Sequence, residues 1–159
     1  MIFTMIIKEQ LDELIAVLKE GNVDLFQKNE FGNTPLHIAC NPIYDTNVEI
    51  IKLLLKYPLD VNAKGTDDYT ALHYAIGKGD NDIVKLLIDK GANVNSPDSY
   101  GNSPLMEAAD MFDDDDTIIK LLLENGADPY QKNNYGVSVY KLLEMPRNES
   151  IRHLFPPEK

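Results

Sequence analysis

Four consecutive aspartates, Asp113, Asp114, Asp115 and Asp116, carry the densest chemistry in the 159-residue chain. Carboxylates in a row can hold a cation, cap a helix or attract a basic partner. A calcium loop needs oxygen ligands at alternating positions and a turn glycine, and the stretch MFDDDDTII has neither. Adjacent carboxylates point in different directions and do not converge on one ion, so no metal site is expected. An apolar helical pattern begins directly after the run. Asp115 or Asp116 can accept from its first amides and face the positive end of its dipole. That explains one or two of the four. The excess either keeps the surface soluble or forms a charged prong for a basic protein, and both readings stay open at this point.

The other reactive side chains do not assemble into a catalytic pattern. There are three histidines, His37, His73 and His153, and one cysteine, Cys40. Cys40 takes the place of a small hydrophobe. No serine sits in a nucleophile motif, no zinc spacing exists, and GKGD at 77–80 turns the chain rather than cradling a phosphate. The chain reads as a non-enzyme with no cofactor and no metal. A lone cysteine forbids an intrachain disulfide and suits a reducing compartment. The opening MIFTMII lacks a basic lead and soon meets Lys8, Glu9 and Asp12, so it reads as neither signal peptide nor membrane span. A cytoplasmic location is expected. The hydrophobic content of 43% fits a soluble globular domain. The net charge of −11 disfavours direct binding to nucleic acid or anionic membranes; it serves solubility or a basic protein partner.

What positions these residues is a repeat. The segments GNTPLHIA, DYTALHYA, GNSPLMEA and GVSVYKLL align on Thr34, Thr70, Ser103 and Ser138, spaced 36, 33 and 35 residues apart. The first three are each followed by a second block: EIIKLLLKYPLDVN, DIVKLLIDKGANVN and TIIKLLLENGADPY. The Thr or Ser can cap a helix, and Pro35 and Pro104 sit where a missing N–H costs nothing. Leu72 with Ala75, and Leu105 with Ala108, recur at helical spacing. Gly91 and Gly126 should end the second helices in left-handed conformation. Each unit is therefore a short helix, a turn, a second helix and a long loop. One such pair cannot bury its apolar faces alone and must stack.

TPLHIA with LLLKYPLDVNAK, and TALHYAIGKGDNDIVKLLIDKGANVN, resemble the ankyrin repeat over nearly the whole chain. The resemblance implies an all-α solenoid of stacked helix-turn-helix units with β-turn fingers along one edge. It divides into an N-terminal cap (about 1–29), three fuller repeats (about 30–66, 67–98 and 99–133) and a C-terminal cap (about 134–159). The first cap has room for one helix, roughly 6–19, and the last for a short one at 151–155 before Pro156 and Pro157. Asp68 stands where the finger glycine is expected, and Met106 replaces the usual histidine. His37 and His73 are implied to bind loop backbone between repeats. The longer spacings place extra residues between paired helices, at 41–48 and 110–116, so the aspartate run belongs to an enlarged turn.

The resemblance also implies that finger tips and the open side of the first helices contact a protein partner. Here those positions hold Phe31, Asp67, Tyr69, Tyr100 and Tyr135 on the fingers, and Ile38, Tyr74 and Glu107 on the helices. Aromatics at loop tips are interface-like, although they could equally cover neighbouring fingers. With Asp113, Asp114, Asp115 and Asp116 they form the candidate binding set. The expected function is stoichiometric binding or inhibition of a basic protein by a monomer, in its sharpest form an immunity protein neutralising a toxin such as a nuclease. The alternative is an adaptor linking two proteins.

Overall fold

The computed structural model describes residues 1–21, 23–44 and 47–158, and among these every regular element is helical. Two rows run side by side. The first-helix row is α1 (Ile2–Ile7), α3 (Pro35–Cys40), α5 (Ala71–Lys78), α7 (Pro104–Asp110) and α9 (Val139–Leu143). The second row is α2 (Leu11–Lys19), α4 (Val48–Leu54), α6 (Asn81–Asp89), α8 (Thr117–Glu124) and a closing 3-10 helix, Pro146–Leu154. Each first helix packs on the next, and each packs on its own partner. The core lies between the rows, where Ile51, Leu54, Leu72, Ile83, Leu87, Leu105, Ile119 and Leu122 are all but sealed from solvent. Cys40 is fully buried there, and burial pushes its thiol up to about 12, which makes it a small apolar filler.

The Thr-Pro-Leu-His signal works through two reciprocal hydrogen bonds. Thr34 N donates to His37 Nδ1 at 3.1 Å, and the Thr34 side chain accepts from the amide of the same residue. Since Nδ1 accepts, the ring proton belongs on Nε2, which reaches the Tyr69 carbonyl of the next finger at 3.0 Å. Thr70 and His73 repeat the cap, with Thr70 N to Nδ1 at 3.1 Å. His73 Nε2, however, forms no hydrogen bond, although it lies near the backbone of Asn102. Burial lowers both histidines, His73 to about 4, so both caps hold neutral rings at pH 7. Met106 removes the imidazole from α7, and the Ser103 hydroxyl alone accepts from Met106 N at 3.3 Å.

Three expectations are corrected. The N-terminal cap has both helices. IFTMII lacks a capping signal, yet Ile2 and Ile6 are driven under α3. The last unit's closing segment starts at Pro146, not 151, because Pro at its first position sets φ for a helical turn and costs no hydrogen bond. Ile38 is 3% exposed and belongs to the core, not to the open side. The enlarged turns do lie between paired helices, separating α3 from α4 and α7 from α8; within the first, Asp45 and Thr46 lie outside the described residues. Gly91 and Gly126 do take positive φ, 88° and 85°.

Polar links fix the spacing of the layers. Asn62 Nδ2 donates to Gly91 O at 3.0 Å while its Oδ1 accepts from Asn93 N at 2.7 Å. One layer on, Asn95 does the same to Gly126 O and Asp128 N, at 2.9 and 2.7 Å. Lys28 Nζ donates to Lys64 O, and Lys64 Nζ to Pro97 O, at 2.8 and 2.9 Å. Removing the Asn95 pair with Asn95→Ala should lower unfolding free energy by about 1–2 kcal/mol. Asn125, whose side chain bonds only within its own helix end, should cost at most about half as much when replaced by Ala. Urea midpoints of the two variants check this; equal losses would deny the inter-layer role.

Candidate protein-binding face

In three of the four fingers one side chain knits the loop and holds it in place. Asn29 Oδ1 accepts from Phe31 N and Asn33 N at 3.0 and 2.9 Å. Asp98 does so for Tyr100 N and Asn102 N at 2.9 and 2.8 Å, and Asn133 for Tyr135 N and Val137 N at 3.0 Å each. The corresponding residue in the remaining finger is Gly65, and its partner comes from the neighbouring layer instead. Asn33 Oδ1 accepts from Thr66 N at 3.0 Å, in space that a Cβ on Gly65 would invade at 2.1 Å. Asp67 and Asp68 then accept left-handed φ of 53° and 59°, as the missing finger glycine requires. Adjacent fingers are tied by Thr66 Oγ1 to Phe31 O, Ser99 N to Asp67 O and Asn134 N to Tyr100 O, at 2.7, 2.9 and 2.9 Å.

This stitching separates the candidate residues into groups. Phe31, Tyr100 and Tyr135 project from the tips, 66%, 52% and 73% exposed, and Asp67 is exposed beside them. Tyr69 does not join that row. It is half-buried, stacked on His73 at 5.1 Å between ring centres and edge-on to Tyr74 at 5.5 Å. Tyr74 in turn meets His37 edge-on at 6.0 Å, so these four rings form one polar aromatic seam at the base of the fingers. Burial raises both phenols, that of Tyr69 to about 12.

Glu107 lies in a groove of about 510 Å³ bounded by Tyr69, Asp98, Asp110, Asn133 and Leu142. Burial pushes its carboxyl up to about 8; Asp98 and Asp110 add to the rise and the Tyr69 hydroxyl offsets part of it. Glu107 Oε2 is closed to solvent and has no hydrogen-bond partner. Nothing in the sequence distinguished this glutamate from a solvated one, because its cover comes from three fingers and α9, most of it far away along the chain.

The aspartate run divides its labour. Asp115 Oδ1 accepts from Thr117 N at 3.0 Å, and its Oδ2 from Asn81 Nδ2 of the preceding layer at 2.7 Å. The Thr117 and Asn81 hydrogen bonds hold its carboxyl down at about 2. Asp116 occupies the N-cap position without a capping bond and pairs with Lys120 at 2.8 Å. Asp113 and Asp114 are exposed, with Asp114 turned through a φ of 80°. The run stands about a small cleft of roughly 210 Å³ lined in part by Gly77, Met111 and Phe112. Among the described residues no group of three or more His, Cys, Asp or Glu could hold a metal, and no helix is long and apolar enough to cross a membrane.

The raised carboxyl of Glu107 makes stability depend on pH. The folded state holds its proton up to about 8, whereas the unfolded chain releases it near 4.5. The stabilisation is whole below 4.5 and is lost as pH rises towards 8. Glu107→Gln removes that dependence. It should raise stability over the native chain by roughly 2–4 kcal/mol at pH 8.5 and by little at pH 4.5. Thermal melts of both proteins at the two pH values measure the difference.

Comparison with known proteins agrees with this architecture. The family described as Ankyrin repeats (3 copies) matches residues 2–98 and 42–133. The ankyrin repeat protein OPG189 of Variola virus is 36% identical over 97 residues, covering 61% of this chain and 17% of the viral protein. A Saccharomyces cerevisiae protein named "Probable 26S proteasome regulatory subunit p28" is 34% identical over 100 residues, covering 62% of this chain and 42% of its own length. The E3 ubiquitin-protein ligase KEG of Arabidopsis thaliana is 30% identical over 99 residues, 62% of this chain and 6% of that protein. The chain thus spans less than half of each of these relatives. With its helix pairs, fingers and matched repeats all accounted for, the chain belongs to the ankyrin-repeat family.

Proposed function

We propose that this ankyrin-repeat protein, a binder of other proteins, acts as a stoichiometric binder and inhibitor of a partner with a basic surface. One observation carries the reading: Phe31, Tyr100 and Tyr135 stand exposed on fingers that are already held in place by hydrogen bonds. Aromatic anchors on a rigid frame lose little conformational freedom when they dock. The net charge of −11 and the exposed Asp67, Asp113 and Asp114 support a basic partner, since complementary charge speeds encounter. In its narrowest form the partner is a toxin such as a basic nuclease, and the chain is its immunity protein; the charge is what supports that form. The chain acts as a monomer in this reading. A second reading is an adaptor linking two proteins. It is favoured by the relative named as a probable proteasome regulatory subunit, a name that describes one part of an assembly.

Immobilised protein should retain a basic partner, and the two surface groups should affect different rate constants. The triple variant Phe31→Ala, Tyr100→Ala, Tyr135→Ala should weaken binding at least about a hundredfold, mainly through faster dissociation. Replacing Asp113 and Asp114 by Ser should slow association by roughly threefold to tenfold at low salt and leave dissociation unchanged. Surface plasmon resonance across a salt series reads both. An association rate indifferent to salt would favour the adaptor, and full binding by the triple variant would end the fingertip reading.

A further inference from the structure

The groove over α7 holds an arrangement that the fold does not need. Tyr69, Asp98, Met106, Glu107, Asp110 and Leu142 enclose about 510 Å³ with acidic groups and apolar walls, and no lysine or arginine lines it. Asp98 is 7% exposed, and its carboxylate is taken up by knitting its own finger. Glu107 is different. Its Oε2 is shut from solvent and accepts no hydrogen bond, although the Tyr69 hydroxyl stands against the carboxyl. A buried acceptor without a donor is costly, and the groove beside it has room for one that displaces part of its cover. The rim already shows which donor suits it: Arg147 Nη2 donates to Asp110 Oδ1 at 2.6 Å from the neighbouring unit.

We infer that this groove seats one arginine side chain of the partner, its guanidinium on Glu107 and its methylenes against Met106 and Leu142. The assignment rests on the basic-partner reading above and sharpens it to a single anchoring residue. Arginine fits better than lysine. Its planar fork can serve Glu107, once the carboxyl has released to solvent the proton it holds in the empty groove, and a second acceptor together, and it sheds water more readily. Its aliphatic stem suits the apolar wall. Asp98 and Asn102, and Asn133 and Val137, line the groove and belong to the fingers whose tips carry Tyr100 and Tyr135, so the pocket shares those two fingers with the fingertip anchors.

The test needs no identified partner. The full-length chain, labelled with nitrogen-15, is titrated with Nα-acetyl-arginine amide and with the citrulline amide, which keeps the shape and lacks the charge. Amide shifts should appear at Asn102, Met106, Glu107 and Asn133, at roughly tenfold lower concentration for arginine than for citrulline. Glu107→Gln, with its spectrum otherwise that of the native fold, should lose most of the response, whereas Asp113→Ser with Asp114→Ser should keep it. Equal responses to the two amides, or shifts confined to 113–116, would overturn the assignment. If the arginine amide is ignored while a basic partner is still retained, the groove assignment fails and the binding reading stands. If the groove takes arginine but no basic partner is retained, the binding reading fails.

Discussion

No helix among the described residues is longer than nine residues, and isolated helices shorter than about 12–15 residues are marginal in water. Every layer is thus held by its neighbours. α5 exists because α3 and α7 cover its faces, and the same holds along the row. Apolar contact supplies the bulk of that stabilisation but little direction, since packed stripes of Leu, Ile and Ala tolerate some sliding. Direction comes from hydrogen bonds that each cross one layer boundary: Asn62, Asn95, His37 and the two lysines reaching backbone carbonyls. Each of them bonds to backbone, so this part of the register depends on the path of the next loop and not on its side chains. This leaves side chains on the fingers free to differ between layers.

That freedom is where the layers diverge. Gly65 takes away the side chain that knits the other fingers, and Asn33 of the previous layer fills the gap. The loop is held as firmly as its neighbours but by a different owner. Met106 takes away the imidazole from the cap of α7, and the Ser103 hydroxyl keeps the helix start. The enlarged turn before α8 spends Asp115 on tying two layers together through Asn81. At Gly65 and at the enlarged turn the departure from the repeat is absorbed by a contact with the layer beside it, and at Met106 by the layer's own cap residue. An interface built across several layers therefore behaves as one body.

Much of this was legible beforehand. The period, the capping residues, the turn glycines and the position of the insertions all follow from local spacing, because short-range hydrogen bonds reward particular residues at particular offsets. The first helix was not legible. IFTMII has neither cap nor turn residue, and only the buried contact of Ile2 and Ile6 beneath α3 makes it a helix. The start of the closing 3-10 helix was not legible either, because the polar residues after Pro146 have a loop's composition and only the burial of Asn148 and Ile151 makes them part of a helix. The candidate face was legible in part. Phe31, Tyr100 and Tyr135 share an outward direction, but Tyr69 turns inward to His73, and Glu107 is covered by loops some thirty residues away. Burial by sequence-distant residues leaves no mark on a local pattern.

Burial also decides where charge can stand. It drives His73 down to about 4 and Glu107 up to about 8, opposite shifts with one result, since both groups are neutral in the folded chain at pH 7. The seam at the base of the fingers is thereby uncharged although it is made of ionisable side chains. The excess of acidic residues is displaced to tips and turns such as Asp67, Asp113 and Asp114. Charges in that position act through solvent over about a Debye length, and they bias approach more than they hold contact. Contact must then come chiefly from short-range fit, which on this face means the projecting rings and the groove over α7. A protein organised this way largely separates finding its partner from keeping it, because solvated charge sits on one set of residues and short-range fit, the groove carboxylates included, on another.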